Sequence, residues 1–222
     1  PLIALSIHTL PPIIPADVWL CHDPRLEETA ESTWGASLPA CRGHYHPHRV
    51  TLKPLGKPLS RQELGLDPHA VVMITAGTRL NTEITGEWVR GMADCLARHP
   101  DAQWLVVGGD GTMPPAFAGA GTDRVRAIPY HTDLRALLRC CDIFVNPPRM
   151  GGGFSVAEAM AEELPVVAYA DSDGGEKIDD RASPRDADFF ARLTALLASG
   201  ECRANEGREL QRLFFRRLDW GC

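Results

Sequence analysis

Asn146-Pro147-Pro148-Arg149-Met150-Gly151-Gly152-Gly153-Phe154-Ser155-Val156-Ala157-Glu158-Ala159-Met160-Ala161 leads from a short apolar run, through three consecutive glycines, into a helical pattern. The spacing predicts a strand over 143–146 and a helix over 155–163. Glycines at such a junction let the backbone come close to a ligand. The helix start behind them offers unpaired N–H groups and the positive end of a dipole, which suits an anion. Ser155 reads as the helix cap and as a hydroxyl able to donate to a phosphate. Glu158 stands one turn in, within reach of ribose hydroxyls. The same residues also fit a flexible loop, with Ser155 an ordinary N-cap and Glu158 a solvated carboxylate, because glycine-rich turns before helices are common.

Working outward, apolar strands are predicted over 70–75, 103–107, 125–128 and 165–169, with helices over 85–98, 132–139, 186–197 and 208–217. Ser60 with Glu63 reads as a capping box, Gly65 as the end of a short helix, Thr132 as a cap, and Gly207 as the residue before the last helix. Strands that are apolar throughout and alternate with helices imply a parallel sheet covered on both faces. The expected fold class is therefore α/β, a doubly wound Rossmann-like domain. Ligands in such sheets bind beyond the carboxyl ends of the strands. The loops there, 76–79, 108–112, 147–154 and 171–177, are all glycine-rich or polar.

The chain has 222 residues, enough for one full domain and part of another. Its net charge of -6 and lack of a basic stripe argue against nucleic acid as a partner. No apolar run reaches 18 residues, so no transmembrane helix is expected. The apolar start has no basic leader and reads as no signal peptide. Seven cysteines without a CxxC pair fit free thiols and a cytoplasmic setting. The adjacent Cys140 and Cys141 read as buried small apolar residues. His44-Tyr45-His46-Pro47-His48 lacks nearby Cys pairs or carboxylates, so no metal site is expected there. His131 reads as a local cap.

The ordered set of Gly77-Thr78-Arg79-Leu80, Val107-Gly108-Gly109-Asp110-Gly111, the glycine run, Glu158-Ala159-Met160-Ala161 and Leu164-Pro165-Val166-Val167-Ala168 resembles the donor-binding domain of retaining GT-B glycosyltransferases (group 1, family 4-like). The resemblance spans 60–197. It implies transfer of a sugar from a nucleoside-diphosphate sugar, with retention and without a metal or other cofactor. Position by position it implies that Glu158 holds the ribose, and that Gly151, Gly152, Gly153, Phe154 and Ser155 meet the diphosphate and sugar. Arg79 would neutralise the diphosphate, and Gly77 would let its loop pass close by. Lys177, in the Asp173-Gly174-Gly175-Glu176-Lys177 turn, would approach the phosphates; a plain surface turn is the other reading of that stretch.

Two positions depart from the family pattern. Met150 stands where the first of two paired glutamates is expected, and Ile84 stands near the place of a lysine. Arg149 is then the candidate for the second positive charge.

By the same resemblance, residues 1–55 are the end or remnant of an acceptor-side domain. Residues 56–205 are the nucleotide-sugar domain, and 206–222 a C-terminal helix that packs back at the domain junction. Strands are predicted over 18–21 and 50–55, and a helix over 23–32. The implied partners are a nucleotide-sugar donor and a sugar, lipid-linked or protein acceptor, with peripheral association at the inner face of a membrane. The competing functions are a nucleotide-sugar 2-epimerase, which needs further acid and base carboxylates, and a nucleotide-sugar-binding module without turnover.

Overall fold

A computed structural model describes residues 2–5, 16–21, 42–46, 49–113, 115–117 and 123–221. The chain divides into two units, Pro1–Val50 with Arg217–Gly221, and Thr51–Arg216.

The first unit holds a parallel sheet in the order β1-β2-β3, formed by β1 (Ile3–Leu5), β2 (Val18–Cys21) and β3 (Arg42–Tyr45). Ala4, Ala16, Trp19 and Cys21 form its described core. Val50 makes an isolated parallel bridge to Asp219, with Val50 N–H donating to Leu218 O at 2.6 Å and Trp220 N–H to Val50 O at 3.2 Å. The strand expected over 50–55 is limited to that bridge. Pro54 has no N–H to donate, so the run cannot continue a ladder. The helix expected over 23–32 lies outside the described residues, as do Pro47 and His48.

The second unit is built on a five-stranded, wholly parallel sheet, ordered β6-β5-β4-β7-β8. Its strands are β4 (Val71–Ala76), β5 (Ala102–Val107), β6 (Val125–Ile128), β7 (Ile143–Val145) and β8 (Val166–Val167). The α/β class with a parallel sheet is as the alternating pattern required. β4 and β5 are buried along almost their whole length because helices cover both faces. Inside the sheet, Trp104 Nε1 donates to Thr75 Oγ1 at 3.0 Å, and that hydroxyl donates to Val145 O at 2.8 Å. Two buried polar groups are thereby satisfied across three strands.

The helices are α1 (Leu80–Glu83), α2 (Gly86–Arg98), α3 (Leu134–Leu138), α4 (Gly153–Ala161), α5 (Asp173–Lys177), α6 (Asp186–Ala198) and α7 (Gly200–Arg217). α2 shows how sequence sets its geometry. The Thr85 hydroxyl caps it by accepting from Trp88 N, and Trp88, Val89, Met92, Cys95 and Leu96 form its buried stripe. Against that stripe, Trp88 packs edge-on to Trp104 at 5.5 Å and to Phe189 of α6 at 6.1 Å.

Several boundaries differ from expectation, each for a local reason. Asp133, not Thr132, caps α3; its Oδ1 accepts from Ala136 N at 3.1 Å. The capping box at Ser60 forms, with Glu63 Oε2 accepting from Ser60 N at 2.8 Å, yet the segment stays a turn. Its place is fixed by Arg61, which donates to Cys140 O, Ala70 O and Asp142 Oδ2 at 2.7–2.9 Å. α7 starts at Gly200 and carries Gly207 in its interior. A Cβ at Gly207 would lie 2.0 Å from Glu163 O, so that glycine serves close packing and not a helix start. Cys140 and Cys141 are buried, and burial raises both thiols, which suits packing and not nucleophilic chemistry. Among the described residues no helix is long and apolar enough to cross a membrane.

Candidate functional site

β4 has β5 on one side and β7 on the other, so the chain reverses its direction of winding there. This is the topological switch point, where the loops beyond two adjacent strands part and leave a crevice. The loop after β4 carries Gly77, Thr78 and Arg79. The loop after β7 carries Asn146 to Gly152. Both predicted glycine loops therefore leave the sheet at one place.

Arg149 ties them together. Its side chain is only 5% exposed. Its Nε and Nη2 donate to Asn146 Oδ1 at 3.0 and 2.8 Å, Nη2 donates to Ala76 O at 2.8 Å, and Nη1 lies 3.2 Å from Glu83 Oε2. Burial lowers the Arg149 pKa from its ordinary value, and Glu83 opposes that shift. The neighbouring glycines follow from this guanidinium. A Cβ at Gly77 would sit 2.1 Å from Arg149 Nη1. One at Gly152 would sit 2.3 Å from Asn146 Oδ1 and 2.7 Å from Arg149 Nη2. Gly152 also has φ +99°, a conformation that side chains disfavour. The group these two glycines approach is Arg149.

α4 begins at Gly153, two residues before Ser155, with Gly152 as its N-cap. Ser155 is therefore the third helical residue and not the cap. The N-cap supplies no side-chain acceptor, and the first backbone bond of the helix is Val156 N–H to Gly152 O at 2.9 Å. The N–H groups of Gly153, Phe154 and Ser155 precede that bond at the positive end of the helix. Phe154 and Met150 are both exposed, at 64% and 56%, beside this end.

Arg79 is the solvent-facing cation. Its side chain is 70% exposed and pairs with Glu83 at 2.8 Å along α1. Its Nη2 lies 3.3 Å from where a Cβ of Gly151 would be, which brings it beside the glycine run.

Glu158 is half-buried on α4. Burial raises its pKa, opposed by Lys53 and Arg135 and reinforced by Asp133 and Glu162. It therefore stands toward the start of α3, about one helical turn beyond the N-terminus of α4. His131 caps locally there: Asp133 N–H donates to its Nδ1 at 3.2 Å.

The third flank is α5. Ser172 caps it, accepting from Gly175 N at 2.9 Å and donating to Tyr169 O at 2.7 Å. Asp173 N–H donates to Met150 O at 3.2 Å, and Asp173 Cβ is 3.2 Å from the position of a Gly153 Cβ. Gly174 and Gly175 are buried, and Lys177 is 6% exposed, 3.4 Å from Glu176. The stretch is a packed helix and not a surface turn, and its ammonium is held inside the fold.

Arg79, Arg149 and the Gly151–Gly153 run thus meet at the switch point, Glu158 lies one turn away, and Lys177 stands back in a buried pair. Sequence reasoning passed over Glu83 and Asn146. The spacing of four between Arg79 and Glu83 on a helix was the available signal for the first. A polar residue ending an apolar strand was the signal for the second. Among the described residues, no group of three or more His, Cys, Asp or Glu could hold a metal ion.

A parallel doubly wound sheet with glycine loops and a helix N-terminus at its switch point is the architecture of a GT-B glycosyltransferase domain. The family model "Glycosyl transferases group 1" matches residues 73–199, more than half of the chain, and the chain belongs to that family. A curated relative, the lipopolysaccharide core biosynthesis mannosyltransferase LpsB of Rhizobium meliloti (strain 1021), is 35% identical over 127 residues, which are 52% of this chain and 36% of LpsB. Among solved structures, the sucrose-phosphate synthase of Thermosynechococcus elongatus is 20% identical with TM-score 0.70, over 93% of this chain and 55% of that one. The Anabaena protein HepE, solved with UDP-glucose, is 17% identical with TM-score 0.66, over 92% of this chain and 60% of that one. The chain thus spans roughly half the length of these structures and matches about a third of LpsB.

Proposed function

We propose that this chain carries the donor-binding half of a glycosyltransferase that moves a sugar from a nucleoside-diphosphate sugar, with retention, to a saccharide or lipid-linked acceptor. The observation that carries the reading is the meeting of an exposed arginine, Arg79, with a glycine-capped helix N-terminus at the switch point of the sheet. In this reading the N–H groups of Gly153, Phe154 and Ser155 and the Arg79 guanidinium stabilise the departing diphosphate, with fixed dipoles and charge in place of a protein nucleophile. Glu158 accepts from the ribose hydroxyls. Arg149 is the clamp that sets the two loops, since its hydrogen bonds go to protein acceptors. Lys177, buried beside Glu176, acts through the packing of α5. No metal or other cofactor is invoked. By analogy with the lipopolysaccharide core named for LpsB, a glycan acceptor is the corresponding expectation here.

A second reading has its own observations. Met150 is apolar where the family resemblance expects a glutamate, and Ile84, near the expected lysine, is buried at 6% exposure. Both favour a module that holds a nucleotide sugar with little turnover.

A thermal-shift panel of UDP, GDP, ADP and their sugars tests the shared core of both readings. One nucleotide family is expected to raise Tm progressively with concentration. At a hundredfold excess over Kd the gain is about 2.7 kcal/mol, roughly 5–10 °C for a chain of this size. A flat response to every nucleotide removes the donor site. Sugar transfer to an acceptor, against an epimerised free nucleotide sugar, separates the transferase from an epimerase.

A further inference from the structure

We propose that Glu83 is the resident anion of the phosphate site, and that a nucleoside diphosphate binds by displacing its carboxylate from Arg79. The proposal rests on the donor-site reading above and adds what limits donor affinity there.

Glu83 sits between two cations. One oxygen is 2.8 Å from Arg79 and the other 3.2 Å from Arg149. Its side chain is 17% exposed, so the carboxylate is held in place and not free to swing into water. Its two partners differ sharply. Arg149 is 5% exposed and also bonded to Asn146 and Ala76, which fixes that limb. Arg79 is 70% exposed and held along one turn of helix, an arrangement that contributes little on its own.

A guanidinium offers carboxylate and phosphate the same fork of donors, so the two anions compete for one face. Arg79 also faces the glycine run, with Nη2 3.3 Å from a Gly151 Cβ position. A diphosphate lying on the α4 N-terminus would therefore meet an arginine already occupied by Glu83. The diphosphate carries more negative charge than one carboxylate and gains the helix N–H groups as well, so it takes over the exposed limb. Arg149 keeps Glu83 and stays in place. Glu83 thereby raises the threshold for occupying the site, and a free anion such as inorganic phosphate without a nucleoside has more difficulty in clearing it.

Calorimetric titration of the chain with UDP, GDP, uridine and guanosine tests this. In Glu83→Gln the amide oxygen can still accept from Arg149 while the competing charge is gone. The variant is expected to bind its preferred nucleoside diphosphate about two- to fivefold tighter than wild type, the range of one partly exposed ion pair. The matching nucleoside, which has no phosphate, is expected to bind unchanged. The gain should vanish when Arg79→Ala is added. Should the glutamine variant not fold, Glu83→Asp keeps a counter-ion for Arg149 with a shorter reach toward Arg79, and it too is expected to bind more tightly. Equal or weaker diphosphate binding by the folded variant, with wild type binding normally, overturns the proposal and makes Glu83 a positioning residue for Arg79. If wild type binds no nucleoside diphosphate at all, the donor reading itself fails, and this one with it.

Discussion

Arg149→Met is expected to lower the unfolding free energy by about 3–5 kcal/mol, the usual cost of removing one member of a buried ion pair. The guanidinium is 5% exposed and bridges the ends of two central strands through Asn146 Oδ1, Ala76 O and Glu83. Methionine fills much of the volume and makes none of those bonds. Asn146 loses both bonds from Arg149, and each buried acceptor left without a donor costs about 1–3 kcal/mol. Glu83 keeps Arg79, so the loss falls mainly on the loops after β4 and β7. Urea denaturation measures it as a drop in midpoint at unchanged slope. Arg149→Lys is expected to recover only part of the loss, because an ammonium cannot reproduce the planar fork. An unfolding free energy within about 0.5 kcal/mol of wild type, the range of ordinary surface changes, means that Arg149 does not hold the site together.

Glu158→Ala is expected to weaken nucleoside diphosphate binding about 10- to 100-fold, the equivalent of hydrogen bonds to a charged acceptor worth about 1.5–3 kcal/mol. The contact is assigned to the ribose hydroxyls, so the matching nucleoside should lose the same factor and the 2′-deoxy nucleotide, which keeps only the 3′-hydroxyl, should lose less. Unfolding is not expected to confuse the result. Burial raises the Glu158 pKa, so the folded state prefers the protonated form. The ionised form is therefore penalised on folding as pH rises through the raised value, and urea denaturation of the variant checks that it stays folded. The same shift predicts a pH effect in wild type. Affinity should fall on acidification as pH passes down through the pKa, which burial raises from its ordinary value. Unchanged affinity in Glu158→Ala removes the ribose assignment.

The sheet was legible because its strands are apolar on both faces. The run VVMITA at β4 and the run QWLVV within β5 have no solvent side to mark, and only a covered parallel sheet accommodates them. Boundaries were less legible where one residue type serves two purposes. Gly207 reads as a helix breaker in sequence, but its lack of a Cβ admits Glu163 O within a longer helix. Asp133 outcompetes Thr132 as a cap and is also held from afar, accepting from Gly56 N at 2.9 Å, a contact no local pattern reveals. The candidate site shows the same division. Its location followed from glycine loops at strand ends. The reason for Gly77 and Gly152 did not, because it depends on an arginine that folds back beneath them. Charge counting found Arg79 and Arg149 as cations, yet missed the Glu83 carboxylate paired with both, which sets how much of that charge a ligand meets.

In the proposed reading, the segment from Gly151 to Glu158 cradles a nucleoside diphosphate. Backbone amide NMR during titration with the nucleotide that stabilises the chain tests it most directly. Saturable shifts of the Gly151, Gly152, Gly153, Phe154 and Ser155 amides are expected, with Arg79 and Glu158 moving at the same apparent Kd. Saturable binding that leaves these amides unmoved and perturbs a different surface would contradict it.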